Sequence, residues 1–114
     1  MGSYADRTQA LAAIPYQDIP GWPPCSVEGH AGRLVLTQRG GACAAILQGR
    51  VHRYEGYALD RVTRPVRVLA ALGVQTLIVT CAAGALDETP PGAVMLIEDH
   101  LNLMGDNPLM GPAP

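Results

Sequence analysis

The segment "RLVLTQRGGACAAILQ", residues 33–48, constrains the fold more than any other part of the chain. Residues 33–38 and 42–48 read as strands, and Arg39-Gly40-Gly41 between them is a turn signal, so the spacing predicts a β-hairpin. A sheet built on such a hairpin needs small aliphatic partners. The composition supplies them: 48% of the residues are apolar, while aromatics make up 4% and Phe is absent. Ala, Val and Leu must therefore fill the core. The chain's 114 residues suit one domain.

The flanking segments extend this reading. Residues 6–13 have the composition of a short helix, and Pro15, Pro20, Pro23 and Pro24 argue against regular structure beyond it. Val62, Val66, Leu69 and Leu72 recur at helical spacing, with Thr63 and Pro65 suited to a first turn and Gly73 to the stop. "QTLIVT", residues 75–80, and "AVMLIE", residues 93–98, read as strands. Strand, helix and strand at this spacing predict a βαβ unit with a right-handed crossover. The expected class is α/β, with an antiparallel hairpin feeding a parallel pair in one mixed sheet.

Charge excludes some functions and localises others. The net charge of −2 argues against nucleic-acid binding through a general basic surface. All basic residues are Arg, and all eight lie in residues 1–67 with five acids; residues 68–114 carry five acids and no Arg or Lys. An anion would therefore bind the first part. Cys25, Cys43 and Cys81 lack CxxC spacing and read as reduced thiols of a cytoplasmic protein. No signal-peptide pattern opens the sequence, and no apolar run reaches membrane-spanning length.

The second strand runs into "QGRVHRYEGY", residues 48–57. In a βαβ unit this loop opens beside the loop after residue 80, at the carboxyl edge of the sheet where ligands of α/β folds bind. "CAAG", residues 81–84, has no bulky side chain, so its backbone N–H groups can approach a ligand closely. Arg50 offers a planar fork of donors for phosphate or carboxylate. His52 can donate to an anion and move a proton near neutral pH. Tyr54 adds a ring and a hydroxyl, and Glu55 could hold His52 in one tautomer. By spacing alone, an Arg50–Glu55 salt bridge with a solvated His52 stands ahead of an anion site. His30, His52 and His100 have no spacing that defines a metal site, and no metal is expected.

Five blocks carry a resemblance. "VEGHAGRLV" (residues 27–35), "QGRVHRYEGY", "VTRPVRVLAALGV" (62–74), "VTCAAGAL" (79–86) and "DHLNLMGDNPLMGP" (99–112) resemble, in order, the trimeric purine nucleoside phosphorylases of the purine nucleoside/methylthioadenosine phosphorylase family. The likeness runs from about residue 19 to residue 112, within a single partial domain of residues 1–114. The His-x-Tyr-Glu-Gly pattern at residues 52–56 favours the purine nucleoside branch.

The resemblance implies a partial three-layer phosphorylase-type fold and a glycosyl-transfer reaction. Phosphate attacks the anomeric carbon of a purine ribonucleoside, and free base and ribose 1-phosphate are released in purine salvage. Phosphate is then a co-substrate, and no cofactor is implied. Position by position, Arg50, His52, His30, the Ala82 backbone and Ser3 match phosphate-binding positions. Tyr54 matches a ribose-packing residue, and Glu55 matches the acid partnering His52, these two forming the catalytic pair. A cytoplasmic homotrimer is implied, with no nucleic-acid or membrane partner.

Departures accompany the match. Gly2-Ser3 stands where the family carries a Gly-Ser-Gly loop, Cys81 stands where it usually has Asn, and family chains extend at both ends, where the purine-gripping residues lie. A chain cut in this way is expected to be marginally stable or to aggregate. The alternative expectation is an inactive fragment that at most binds phosphate or oligomerises.

Overall fold

The computed structural model describes residues 2–25 and 29–111, Gly2 and Ser3 by their backbone alone. The chain divides into two compact units, Met1–Leu77 and Ile78–Pro114. Among the described residues the first unit holds every regular element: α1 (Gly2–Ala5), β1 (Ala10–Pro15), β2 (Arg33–Arg39), β3 (Ala42–Gln48) and α2 (Leu59–Ala71), with 3₁₀ turns at Tyr16–Asp18 and Arg53–Glu55.

The expected hairpin is present. β2 and β3 pair antiparallel from Arg33↔Gln48 to Arg39↔Ala42. Gly40 and Gly41, at φ of 56° and 83°, take the two left-handed turn positions. Such a pair of angles is open to glycine without steric cost, and its twist matches that of the flanking strands.

The third strand lies where a helix was expected. Residues 10–15 form β1, antiparallel to β2, with the register shifting between Ala10 and Ala12. Alanine's helical preference, a few tenths of a kcal/mol per residue over most other residues, is weaker than pairing along the open edge of β2. Thr8 helps to end α1 ahead of the strand: its hydroxyl and its N–H both donate to the Ala5 carbonyl. Pro15 closes β1 at its last position, opposite Arg33.

Side-chain alternation gives the sheet two buried faces. On one, Leu34 packs with Tyr16, Trp22 and Leu69 of α2, supported by Ile19, Leu47 and Val68. On the other, Val35 and Ile46, which face each other across the ladder, pack with Ala5 of α1. Two polar side chains share this second face. Thr37 donates to the Gln9 carbonyl, and Gln48 accepts from Arg33 Nε and donates to Asp6. Gln48 is satisfied at both ends of its amide, as burial requires.

Helix α2 begins one turn earlier than the sequence suggested, so Pro65 falls inside it. Proline there costs the hydrogen bond its own N–H would make to Arg61. Burial of the ring retains it in the helix. The stop is the expected one: Gly73 has φ 87°, its N–H donates to Ala70, and the Val74 N–H donates to Leu69. This pair of bonds is a Schellman motif.

The expected βαβ unit does not form. Residues 75–80 and 93–98 join no ladder, and the sheet among the described residues is three antiparallel strands in the order β1-β2-β3. A strand is stabilised by its neighbours, and neither apolar run has a paired neighbour among the described residues. Leu77, Ile78, Val94 and Leu96 are all exposed. Among the described residues no helix is long and apolar enough to cross a membrane.

Candidate functional site

The site is built where β3 ends. Gly32 N–H donates to Gln48 O and Tyr16 N–H donates to Gly32 O, carrying the sheet's bonding past its last paired residues. Gly49 follows at φ 117°. A Cβ there would stand 2.9 Å from both Cys25 Sγ and His30 Cβ, so only glycine lets the chain pass this close. The Tyr16 hydroxyl donates to the Gly49 carbonyl at 2.8 Å and fixes the turn. Burial, and secondarily the neighbouring Cys25, hold the Tyr16 phenol above its ordinary pKa, which keeps it a donor.

Beyond Gly49, Val51 turns inward and is buried, while Arg50 is exposed on one side of it and His52 half-buried on the other. The 3₁₀ turn Arg53–Glu55 then brings Glu55 back onto His52. One carboxylate oxygen accepts from the His52 backbone N–H at 2.6 Å and lies 2.9 Å from its ring Nδ1. Arg50 Nε donates to His52 Nε2 at 3.3 Å. These bonds select one tautomer: Nδ1 carries the proton toward Glu55, and Nε2 presents its lone pair to Arg50. Gly56, at φ 89°, closes the turn.

Three rings stack across the loop. His52 lies between Tyr54, at 4.8 Å between centroids and 15° between planes, and His30, at 5.9 Å and 29°. Tyr54 is 77% exposed, so its outer face is open to a ligand. His30 Nδ1 in turn lies 3.2 Å from Cys25 Sγ.

The structure thus brings together Arg50, His52, Glu55, Tyr54 and His30, the residues singled out in the loop and the first block. Arg50 bonds to His52, so a simple Arg50–Glu55 bridge does not describe the loop. Ala82 belongs to the second unit, so the site described here is built from the first unit alone and not from two parallel strand ends. The Ser3 side chain lies outside the described residues, though its backbone is in α1. His100 is in the second unit, and no group of three or more metal-ligating side chains occurs among the described residues. Two contributors escaped the sequence reading. Tyr16 gave no signal, because its partner is a backbone carbonyl 33 residues away. Cys25 had one, a histidine five residues on, but spacing alone did not show that the two side chains meet.

Chemically, the loop is a cationic fork beside an imidazole whose tautomer is set by a carboxylate. Such a group can accept a proton at Nε2, and once protonated can donate to an anion.

Comparisons with known proteins give the chain's relatives. The family model described as "Phosphorylase superfamily" matches residues 1–114. The chain is 55% identical over 113 residues to purine nucleoside phosphorylase 1 of Geobacillus stearothermophilus, covering 98% of this chain and 41% of that protein. It is 54% identical over 116 residues to purine nucleoside phosphorylase of Mus musculus, covering 98% and 40%. A crystal structure of Schistosoma mansoni purine nucleoside phosphorylase in complex with inosine superposes with a TM-score of 0.69 at 43% identity, over 77% of this chain and 31% of that one. The chain therefore spans about two fifths of the length of the curated relatives it matches.

Proposed function

Since the chain belongs to the phosphorylase superfamily, we propose that its loop at residues 49–57 serves phosphorolysis of purine ribonucleosides to free base and ribose 1-phosphate. The Glu55–His52–Arg50 hydrogen-bond series carries the reading. Arg50 turns its guanidinium from His52 to phosphate, and His52, with Nδ1 held by Glu55, takes a proton at Nε2 and donates it as a second phosphate contact. His30 lies one ring away and adds a further donor. The Ala82 backbone and the Ser3 hydroxyl are further phosphate contacts in this reading.

Tyr54 packs on the ribose through the face that His52 leaves open. The reaction needs an anion beneath a sugar that becomes cationic as the purine departs, and fixed donors holding phosphate there stabilise that state. Phosphate is a co-substrate and no cofactor enters. The assembly proposed is a cytoplasmic homotrimer.

A second reading rests on a different observation: the match to two fifths of its relatives, together with a second unit whose apolar side chains are exposed. Under it the chain binds phosphate without turnover. One assay separates the two. The chain is mixed with inosine and phosphate, and hypoxanthine release is followed. Release that Arg50→Ala lowers by about a hundredfold or more, the scale of losing one charge-stabilising donor, supports the enzyme. Absence of release, with phosphate binding that Arg50→Ala removes, selects the binding module. Phosphate binding indifferent to Arg50→Ala overturns both.

A further inference from the structure

We propose that Cys25 and His30 form a reactive thiol–imidazole pair that takes small disulfides as its co-reactant. The proposal does not depend on the phosphate reading, since neither side chain need touch an anion for it to hold. Cys25 Sγ lies 3.2 Å from His30 Nδ1 and 3.5 Å from the Arg50 carbonyl. Of these two neighbours the carbonyl can only accept a hydrogen bond from the thiol, whereas the imidazole nitrogen can remove its proton. With the proton on Nδ1, the imidazolium stands directly against the thiolate, the arrangement that activates cysteine nucleophiles.

A cavity of about 380 Å³ opens at the pair, lined by Tyr16, Pro24, Cys25, His30 and Gly32 among others. Two groups that carry or change charge adjoin the pair: the Tyr16 phenol, which lines the same cavity, and His52, whose ring stacks on His30 and is bonded by Arg50 and Glu55. Tyr16 is held neutral by burial, and Glu55 is engaged with His52.

The step balances without further reagents. The Cys25 thiolate attacks one sulfur of the disulfide, a new S–S bond forms, and the original S–S bond breaks. The leaving thiolate takes the proton that His30 received from Cys25 and departs as a thiol. No net electron enters or leaves the system.

Exposure alone gives the opposite order of reactivity, which makes the test sharp. Cys43 and Cys81 are exposed, whereas Cys25 is half-buried. Cys43 sits on β3 opposite Gln38, and neither exposed thiol has an imidazole hydrogen-bonded to it among the described residues. The native chain is incubated with oxidised glutathione at pH 7, and the mixed disulfides are located and timed by peptide mass spectrometry. Cys25 is expected to react about tenfold faster than either other cysteine. In urea the three rates should converge. His30→Gln should bring the Cys25 rate down to that of Cys43 or below, while Cys43 and Cys81 keep their wild-type rates and so report an intact fold. The proposal is overturned if Cys25 is the slowest of the three in the native chain, if its lead persists in urea, or if His30→Gln leaves its rate unchanged.

Discussion

Glu55 shows how much one side chain can hold in place. Its carboxylate is 11% exposed and binds both the backbone and the ring of His52. Hydrogen bonds to a charged acceptor contribute about 1.5–3 kcal/mol. Glu55→Ala is accordingly expected to lower the urea-unfolding free energy by about 2 kcal/mol. It should also free the His52 ring, seen as line broadening of its imidazole protons; unchanged stability with an ordered ring would show that the carboxylate is dispensable. Tyr16 acts in another way. Burial raises its folded-state pKa, above the ordinary value of about 10. A raised pKa means that the folded state favours the neutral phenol. Its contribution is therefore complete below about pH 10 and is lost as pH rises toward the folded value. Tyr16→Phe should cost about 1 kcal/mol at pH 7 through the lost bond to Gly49. It should also flatten the fall in stability above about pH 10, where the phenol ionises in the unfolded chain while burial keeps it neutral in the folded one. Equal alkaline slopes in the two proteins would refute the assignment.

The turn from β3 into the loop depends on Gly49, whose φ and lack of a Cβ are both required. Gly49→Ala is expected to destabilise the first unit by about 1–3 kcal/mol, the cost of a strained backbone. It should also weaken phosphate binding, because Arg50 and His52 follow immediately. Isothermal titration with phosphate, beside thermal melts, would read both. The same element shows what could be seen in the sequence. Residues 33–48 and the Gly73 stop were legible because turn, strand and cap chemistry is local. The loop's members were legible too, as residue types suited to an anion. The β1 strand was not, because Ala10–Ala13 carry helix-forming composition, and only the open edge of β2, more than twenty positions along, makes them extended. The strands at residues 75–80 and 93–98 failed for the same reason in reverse. Their composition is that of buried strands, but composition supplies no neighbour. Pairing is a property of the sheet, and the αβ alternation from which a parallel partner was inferred does not create one.

At the scale of the whole chain, stability is unevenly distributed. The first unit has a ladder, two apolar clusters and polar groups satisfied on burial. The second has none of the described strands or helices, and its larger apolar side chains are exposed, Leu86, Val94, Leu96, Leu101 and Leu103 by 87% or more. Its recorded side-chain hydrogen bonds are short-range and exposed, such as Thr89 N–H to Asp87 and Leu109 N–H to Asn107. Free energy to resist local opening comes from buried contacts and protected backbone bonds, and the second unit has few of either. Limited proteolysis with a broad-specificity protease is therefore expected to cleave first within residues 78–111 and to leave a persistent product ending near Leu77. Exposed apolar surface of this extent also promotes association, so light scattering should rise with protein concentration and fall once that segment is digested away. Uniform resistance of the two units, or first cuts within β2 or β3, would contradict this distribution of stability.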